Sequence, residues 1–203
     1  RRNGSCLASD VFSHRFFVCR VSNRKLGMLY WIKVAGKLAY DRPTRERLLG
    51  YRPVVICLIQ SLERDAFLFV QPAAGRGAWM PPQEGIDPNC SIEDATRQCL
   101  DVELGISRNQ MHYRRSVWLG RRSIPEREGS RDVELSIRPM QGKAYYASLS
   151  RVAEDTPLSC NPAEVSAHQW LTPSEIRGRL DGNSQRKVEL MRLSLAKMTG
   201  IEL

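Results

Sequence analysis

The stretch WMPPQEGIDPNCSIEDATRQCLDVELGI, residues 79–106, limits what this chain can fold into more than any other segment. Gly85, Pro88 and Asn89 mark a tight loop. Ser91 follows as an N-cap with Asp94 three residues on, the capping-box spacing that opens a helix. The spacing predicts a helix over 92–104, closed by Gly105 in the left-handed conformation that glycine accepts most readily. At about 100° per residue, Ile92, Ala95, Thr96, Cys99, Val102 and Glu103 share one side of it. Glu103 is the anomaly: one carboxylate on an otherwise apolar face. Asp101 points to the far side, Asp94 serves the cap, and Glu93 is an ordinary first-turn acid favoured by the helix dipole.

Elsewhere, short apolar runs predict strands at about 53–60, 66–71, 112–120, 132–138 and 143–149, with another near 166–171. Val133, Leu135 and Ile137 show the period-two alternation most clearly. The polar run 121–130 reads as a turn region. Thr172-Pro173 opens a short helix, and Val188, Met191 and Leu195 give a stripe over 184–198 that Gly200 closes. Residues 28–40 read as an amphipathic helix ended by Asp41-Arg42-Pro43, with Arg45–Arg47 as a charged connector. That helix suits packing on the domain or on a partner subunit. The expected organisation is a basic extension over 1–27, a helix and linker over 28–48, and one domain over 49–203.

The net charge of +9 is uneven. Residues 1–27 hold six basic side chains against Asp10 alone, which leaves 25 basic against 21 acidic residues in the rest. The extension reads as disordered or not native to the protein, with a basic arm for nucleic acid as the alternative. Nothing approaches the roughly 18 consecutive apolar residues of a spanning helix. The six cysteines show neither a CxxC pair nor a zinc-like His spacing. Cys90 and Cys99 stand about 13 Å apart along the helix, too far to bridge. Free thiols, a reducing compartment and a cytoplasmic protein are the expectation.

Residues 79–106 also resemble the box of the Nudix superfamily, G-x5-E-x7-R-E-U-x-E-E-x-G-U with U aliphatic, aligned without a gap from Glu84 to Ile106. In that family glutamates at i, i+3 and i+4 of the helix form an oxygen cage for Mg²⁺. Here those positions are Cys99, Val102 and Glu103; Cys90 stands at the earlier glutamate, Gln98 at the arginine and Glu84 at the first glycine. The likeness continues through Gly50-Tyr51-Arg52-Pro53 with VVICLIQ, Trp79, Pro82-Gln83, Trp118-Leu119, Gly142-Lys143 with AYYASL, and Asn161-Pro162-Ala163-Glu164 before Trp170. These segments, roughly 49–197, are most similar to the RNA pyrophosphohydrolase branch. The resemblance implies an α/β fold, a single α/β/α sandwich around a mixed β-sheet.

It also implies a site at Glu103 and Glu164, and Glu84, on the loop, can face the same groove. These three are the candidate ligands for a weakly held Mg²⁺ or Mn²⁺, since two carboxylates hold Mg²⁺ when substrate phosphates complete the shell. Thiol and isopropyl groups at 99 and 102 supply no oxygen. Arg52, Gln83, Gly85, Arg121 and Lys143 are the candidate substrate contacts, guanidinium groups suiting bidentate phosphate binding. Arg114, Arg115, Arg122 and Arg138 read as solvated strand charges, His112 and His168 as structural, Trp79 and Trp170 as packing. Of Tyr145 and Tyr146, one can stack a base while the other faces the core. Losing two of three cage ligands costs on the order of 10³–10⁵ in turnover. Two readings follow: a binding protein for a nucleotide, a phosphorylated RNA 5′ end or a protein partner, or a metal-dependent pyrophosphohydrolase with a reduced site. A purely structural subunit assembling through the 28–40 helix is a third.

Overall fold

Six successive residues, Val54 to Ile59, are almost wholly buried, which only a strand covered on both faces allows. The computed structural model describes residues 42–74, 77–123, 140–180 and 183–203. The extension 1–27, the helix expected at 28–40 and the strand expected at 132–138 lie outside them. The elements run α1 (Arg42–Leu48), β1 (Tyr51–Ser61), β2 (Phe67–Pro72), β3 (Gln83–Gly85), α2 (Ile92–Leu104), β4 (His112–Ser123), β5 (Gly142–Val152), β6 (Val165–Leu171), α3 (Pro173–Gly178) and α4 (Gln185–Thr199).

The buried strand is β1, and it organises a mixed sheet of order β4-β5-β1-β2-β6. β5 pairs with it in parallel along its whole length, from Tyr51 opposite Gly142 to Ser61 opposite Val152. Its other edge is shared. β3 pairs with Val54–Ile56, and β2 meets it at Gln60. Side chains alternate across a strand, so Val54, Ile56 and Leu58 pack under α3 and α4, against Ile176, Leu190, Met191 and Leu195. Val55, Cys57 and Ile59 pack under α2, against Ala95, Cys99, Leu100 and Leu104. This is the α/β/α sandwich, with the core divided by the sheet.

The helix expected over 92–104 forms with those bounds. Ser91 Oγ accepts from the Asp94 N–H at 3.0 Å, Asp94 Oδ2 accepts from the Ser91 N–H at 3.3 Å, and Gly105 adopts φ 69°. A Cβ at Gly105 would press on Ser159 as well. One face assignment needs correcting. The buried side of α2 is completed by Leu100 and Leu104, and Val102 turns outward, 52% exposed.

The segment 45–47 also differs from expectation: it lies inside α1 rather than in a connector. Glu46 is the reason. Its carboxylate is 1% exposed and is gripped by Arg121 through Nε and Nη2, the latter at 3.1 Å from Oε1. Burying a carboxylate requires such a partner, so the helix is tied to β4 by a contact 75 residues away in sequence. Arg42 adds a cation–π contact over Trp118 at 4.2 Å. No helix among the described residues is long and apolar enough to cross a membrane.

Gly142, where β5 begins, leaves no room for a side chain: a Cβ would overlap the Arg122 carbonyl oxygen and the Ser123 Cα. Gly142→Ala is therefore expected to lower unfolding free energy by about 1–3 kcal/mol, the usual cost of overpacking. Urea denaturation checks this, and an unchanged midpoint would contradict the close β4–β5 approach.

Candidate functional site

The three-residue strand β3 sends adjacent side chains to opposite layers. Glu84 pairs with Val55 and faces the α2 side; Gln83 pairs with Ile56 and Gly85 with Val54, on the α4 side. The acids Glu84 and Glu103 lie toward the first side, the cations Lys143, Arg186 and Lys187 toward the second.

On the acid side, Glu103 sits half-buried in the last turn of α2. Cys99, one turn earlier and fully buried, donates its thiol to Glu103 Oε1 at 3.4 Å. Burial pushes the Glu103 carboxyl up to about 7, the Cys99 hydrogen bond opposes this, and the like charges of Glu84 and Glu164 add to it. The sequence candidates Glu103, Glu84 and Glu164 therefore come within electrostatic reach of one another. Glu84 Oε1 is also held by the Gly85 N–H at 2.6 Å, and Glu164 is exposed in the turn before β6. A hydrogen bond with Cys57, together with burial, raises the Cys99 thiol well above its ordinary value, so it stays protonated. Among the described residues no group of three or more His, Cys, Asp or Glu side chains is placed to hold a metal ion. An enclosed thiol and an outward isopropyl group cannot complete the oxygen shell that Mg²⁺ demands. The residues present do not fit a resident Mg²⁺ or Mn²⁺.

On the other side, between the sheet and the start of α4, lies a cavity of about 260 Å³. Gln83, Lys143, Tyr145, Arg186 and Lys187 line it, over an apolar floor that includes Met191. Burial lowers the Lys143 pKa, and the positive charges of Arg52, Arg186 and Lys187 lower it further. Arg52 lies across Gly85, its Nη2 3.1 Å from where a Cβ would stand; glycine is what lets the guanidinium pass. Tyr145 and Tyr146 are both buried, Tyr145 at the cavity and Tyr146 in the opposite core against Trp118.

Of the five substrate contacts expected from sequence, Gln83 and Lys143 meet in the cavity, and Arg52 and Gly85 adjoin it. Arg121 does not join them: it is committed to Glu46 and stacks over Tyr51 at 5.2 Å. Arg115 donates to the Met198 carbonyl, and Arg122 approaches Glu189 at 3.7 Å. Arg186 and Lys187 were missed. A signal existed, because cations in the first turn of a helix oppose its dipole at a cost of roughly 0.3–1 kcal/mol each.

The NUDIX domain model matches residues 50–193, well over half of the chain. The chain belongs to the Nudix family. Its fold is similar to that of a Caenorhabditis elegans Ap4A hydrolase, at 16% identity and a TM-score of 0.51 over 73% of this chain and 99% of that one. It is similar also to the Escherichia coli dihydroneopterin triphosphate pyrophosphohydrolase, at 12% identity and a TM-score of 0.51, covering 73% and 96%. The Nudix hydrolase RenU of M. smegmatis gives 15% identity and a TM-score of 0.52, covering 76% and 89%. No curated protein matches the sequence. At these identities the likeness establishes the Nudix fold and nothing finer.

The Glu103 shift has a consequence for stability. The folded protein keeps this proton up to about pH 7, whereas an unshifted carboxyl releases it near 4.5. Between those values the native state binds more protons, so stability falls as pH rises through the window. Glu103→Gln removes that loss. The variant's melting temperature is expected to gain on wild type from pH 4.5 to 7.5, reaching an advantage of about 2–4 °C. A difference that stays constant across this range would show that Glu103 titrates normally.

Proposed function

We propose that this Nudix-fold chain acts by binding, with little or no diphosphate hydrolysis, and that its ligand is a nucleotide or a phosphorylated RNA 5′ end. A protein partner is compatible with the same reading. One observation carries it: at the three helix positions that form the family's oxygen cage, Cys99 is enclosed in the core, Val102 faces solvent, and Glu103 alone offers oxygen. The RNA-directed part is supported by the likeness of Gly50-Tyr51-Arg52-Pro53, Pro82-Gln83 and Gly142-Lys143 to the RNA pyrophosphohydrolase branch. Arg52, Gln83 and Lys143 of those segments converge at one cavity and its margin. The free thiols Cys57, Cys90, Cys99 and Cys160 support a reducing, cytoplasmic setting.

A reduced-site hydrolase is the second reading, favoured by the mutual influence of Glu84, Glu103 and Glu164, which a bound cation would relieve. Release of phosphate or mononucleotide from triphosphorylated RNA, dinucleoside polyphosphates and sugar nucleotides, with Mg²⁺ or Mn²⁺, separates the two. Turnover is expected below about 0.1 s⁻¹, at least tenfold under the range usual for enzymes. Faster turnover that Glu103→Gln abolishes would establish the hydrolase.

Restoring carboxylates distinguishes the positions. Val102→Glu adds one in solvent and leaves the fold intact, whereas Cys99→Glu forces a second charge into the core beside Cys57, where burial of an unpaired carboxylate is costly. Val102→Glu is expected to fold with wild-type stability to within about 0.5 kcal/mol and Cys99→Glu to lose several times that, as chemical denaturation reads.

A further inference from the structure

We propose that the cavity between β5 and the start of α4 is a pocket for the phosphate-bearing end of an anionic ligand. The proposal rests on the binding reading above and names the chemistry that the site selects. Four observations converge on it.

The first is charge. Lys143, Arg186 and Lys187 line the cavity and Arg52 stands close enough to act on Lys143. The charges that bear on Lys143 come from these three neighbours, all cations. Arg186 spends one N–H on the Ser123 carbonyl at 2.9 Å, which leaves a guanidinium with several donors unspent. Cations clustered around a partly desolvated ammonium favour the arrival of an anion.

The second is the backbone. Ser184 is the N-cap of α4 and lines the cavity, yet its hydroxyl makes no capping bond to the helix. The first N–H groups of a helix have no intrahelical acceptor, and with the dipole they favour an anion. Arg186 and Lys187 occupy this same first turn, where no acid balances them. A sequence that breaks the dipole rule twice at one cavity wall is marking a functional position.

The third is size and shape. About 260 Å³ falls just under the roughly 300–1,000 Å³ of pockets that enclose a whole drug-sized molecule. The cavity holds one end of its ligand, and the rest extends outward past Gln83 and Arg52. The fourth is position. The cavity lies on the α4 face, with the sheet between it and the acids Glu84 and Glu103. Phosphate groups seated there are screened from the carboxylates that would repel them.

The test uses full-length protein and pyrophosphate as probe, followed by isothermal titration calorimetry at low salt. Wild type binds, and Lys143→Met and Lys187→Glu each weaken binding by about tenfold or more, as loss of a charge-assisted contact should. Lys187 is exposed, so its variant folds even if Lys143→Met does not. Arg108→Glu, a charge reversal beyond the end of α2, leaves the affinity within about twofold, since screening limits action at a distance. Absence of pyrophosphate binding, indifference to both lysines, or an equal loss in all three variants overturns the pocket. Displacement of pyrophosphate by ATP or by 5′-triphosphorylated RNA, whichever is tighter, supports it and names the source of the phosphate. Equal displacement by 5′-hydroxyl RNA overturns it. Metal-dependent turnover with lysine-dependent pyrophosphate binding would refute the binding reading and keep the pocket; lysine-independent binding without turnover would do the reverse.

Discussion

Burial of β1 on both faces is the constraint from which the rest of the molecule follows. A strand covered by helices on each side must be apolar along its covered stretch, and its pleat divides those positions between two cores. Val54, Ile56 and Leu58 commit one core to α3 and α4; Val55, Cys57 and Ile59 commit the other to α2. Any strand that pairs with β1 inherits the same division. In β3 only three residues are involved, and the pleat places Gln83 and Glu84 in different layers.

The result is that Glu103 and Lys143 stand on opposite faces of one sheet. Glu103 and Lys143 are both partly withdrawn from water, and both are shifted toward their neutral forms, the acid upward and the lysine downward, with burial as the first cause in each case. Like-charged neighbours reinforce each shift. The acid face has a hydrogen-bonded thiol beside its carboxylate and can settle as a neutral pair. The basic face has an open cavity instead.

Position 99 shows how little the fold around it depends on the chemistry of one side chain. A small, apolar thiol at that position fills the space between α2 and β1 and meets Cys57 across it; free cysteine packs as a small hydrophobe. The helix keeps its caps, its length and its αL terminator, because none of these depends on which side chain occupies position 99. The scaffold rests on caps and backbone, separate from the chemistry of the side chain at 99.

That separation also explains what was legible in the chain alone. The α2 helix, its capping box, Gly105, the apolar strands around 53–60 and 143–149, and the helix over 184–198 rest on neighbours within four residues or on a period of two or 3.6, and such information is local. The resemblance in residues 49–197 added the layered architecture. Tertiary structure alone decided that Glu46 of α1 takes Arg121 away from the cavity that Gln83 and Lys143 line, that Leu100 and Leu104 rather than Val102 complete the buried face of α2, and that Arg186 and Lys187 line the same cavity as Lys143. Each of these brings together side chains dozens of residues apart, or is a choice among helix faces a few tens of degrees wide. Periodicity cannot resolve such choices, because packing against the sheet selects them.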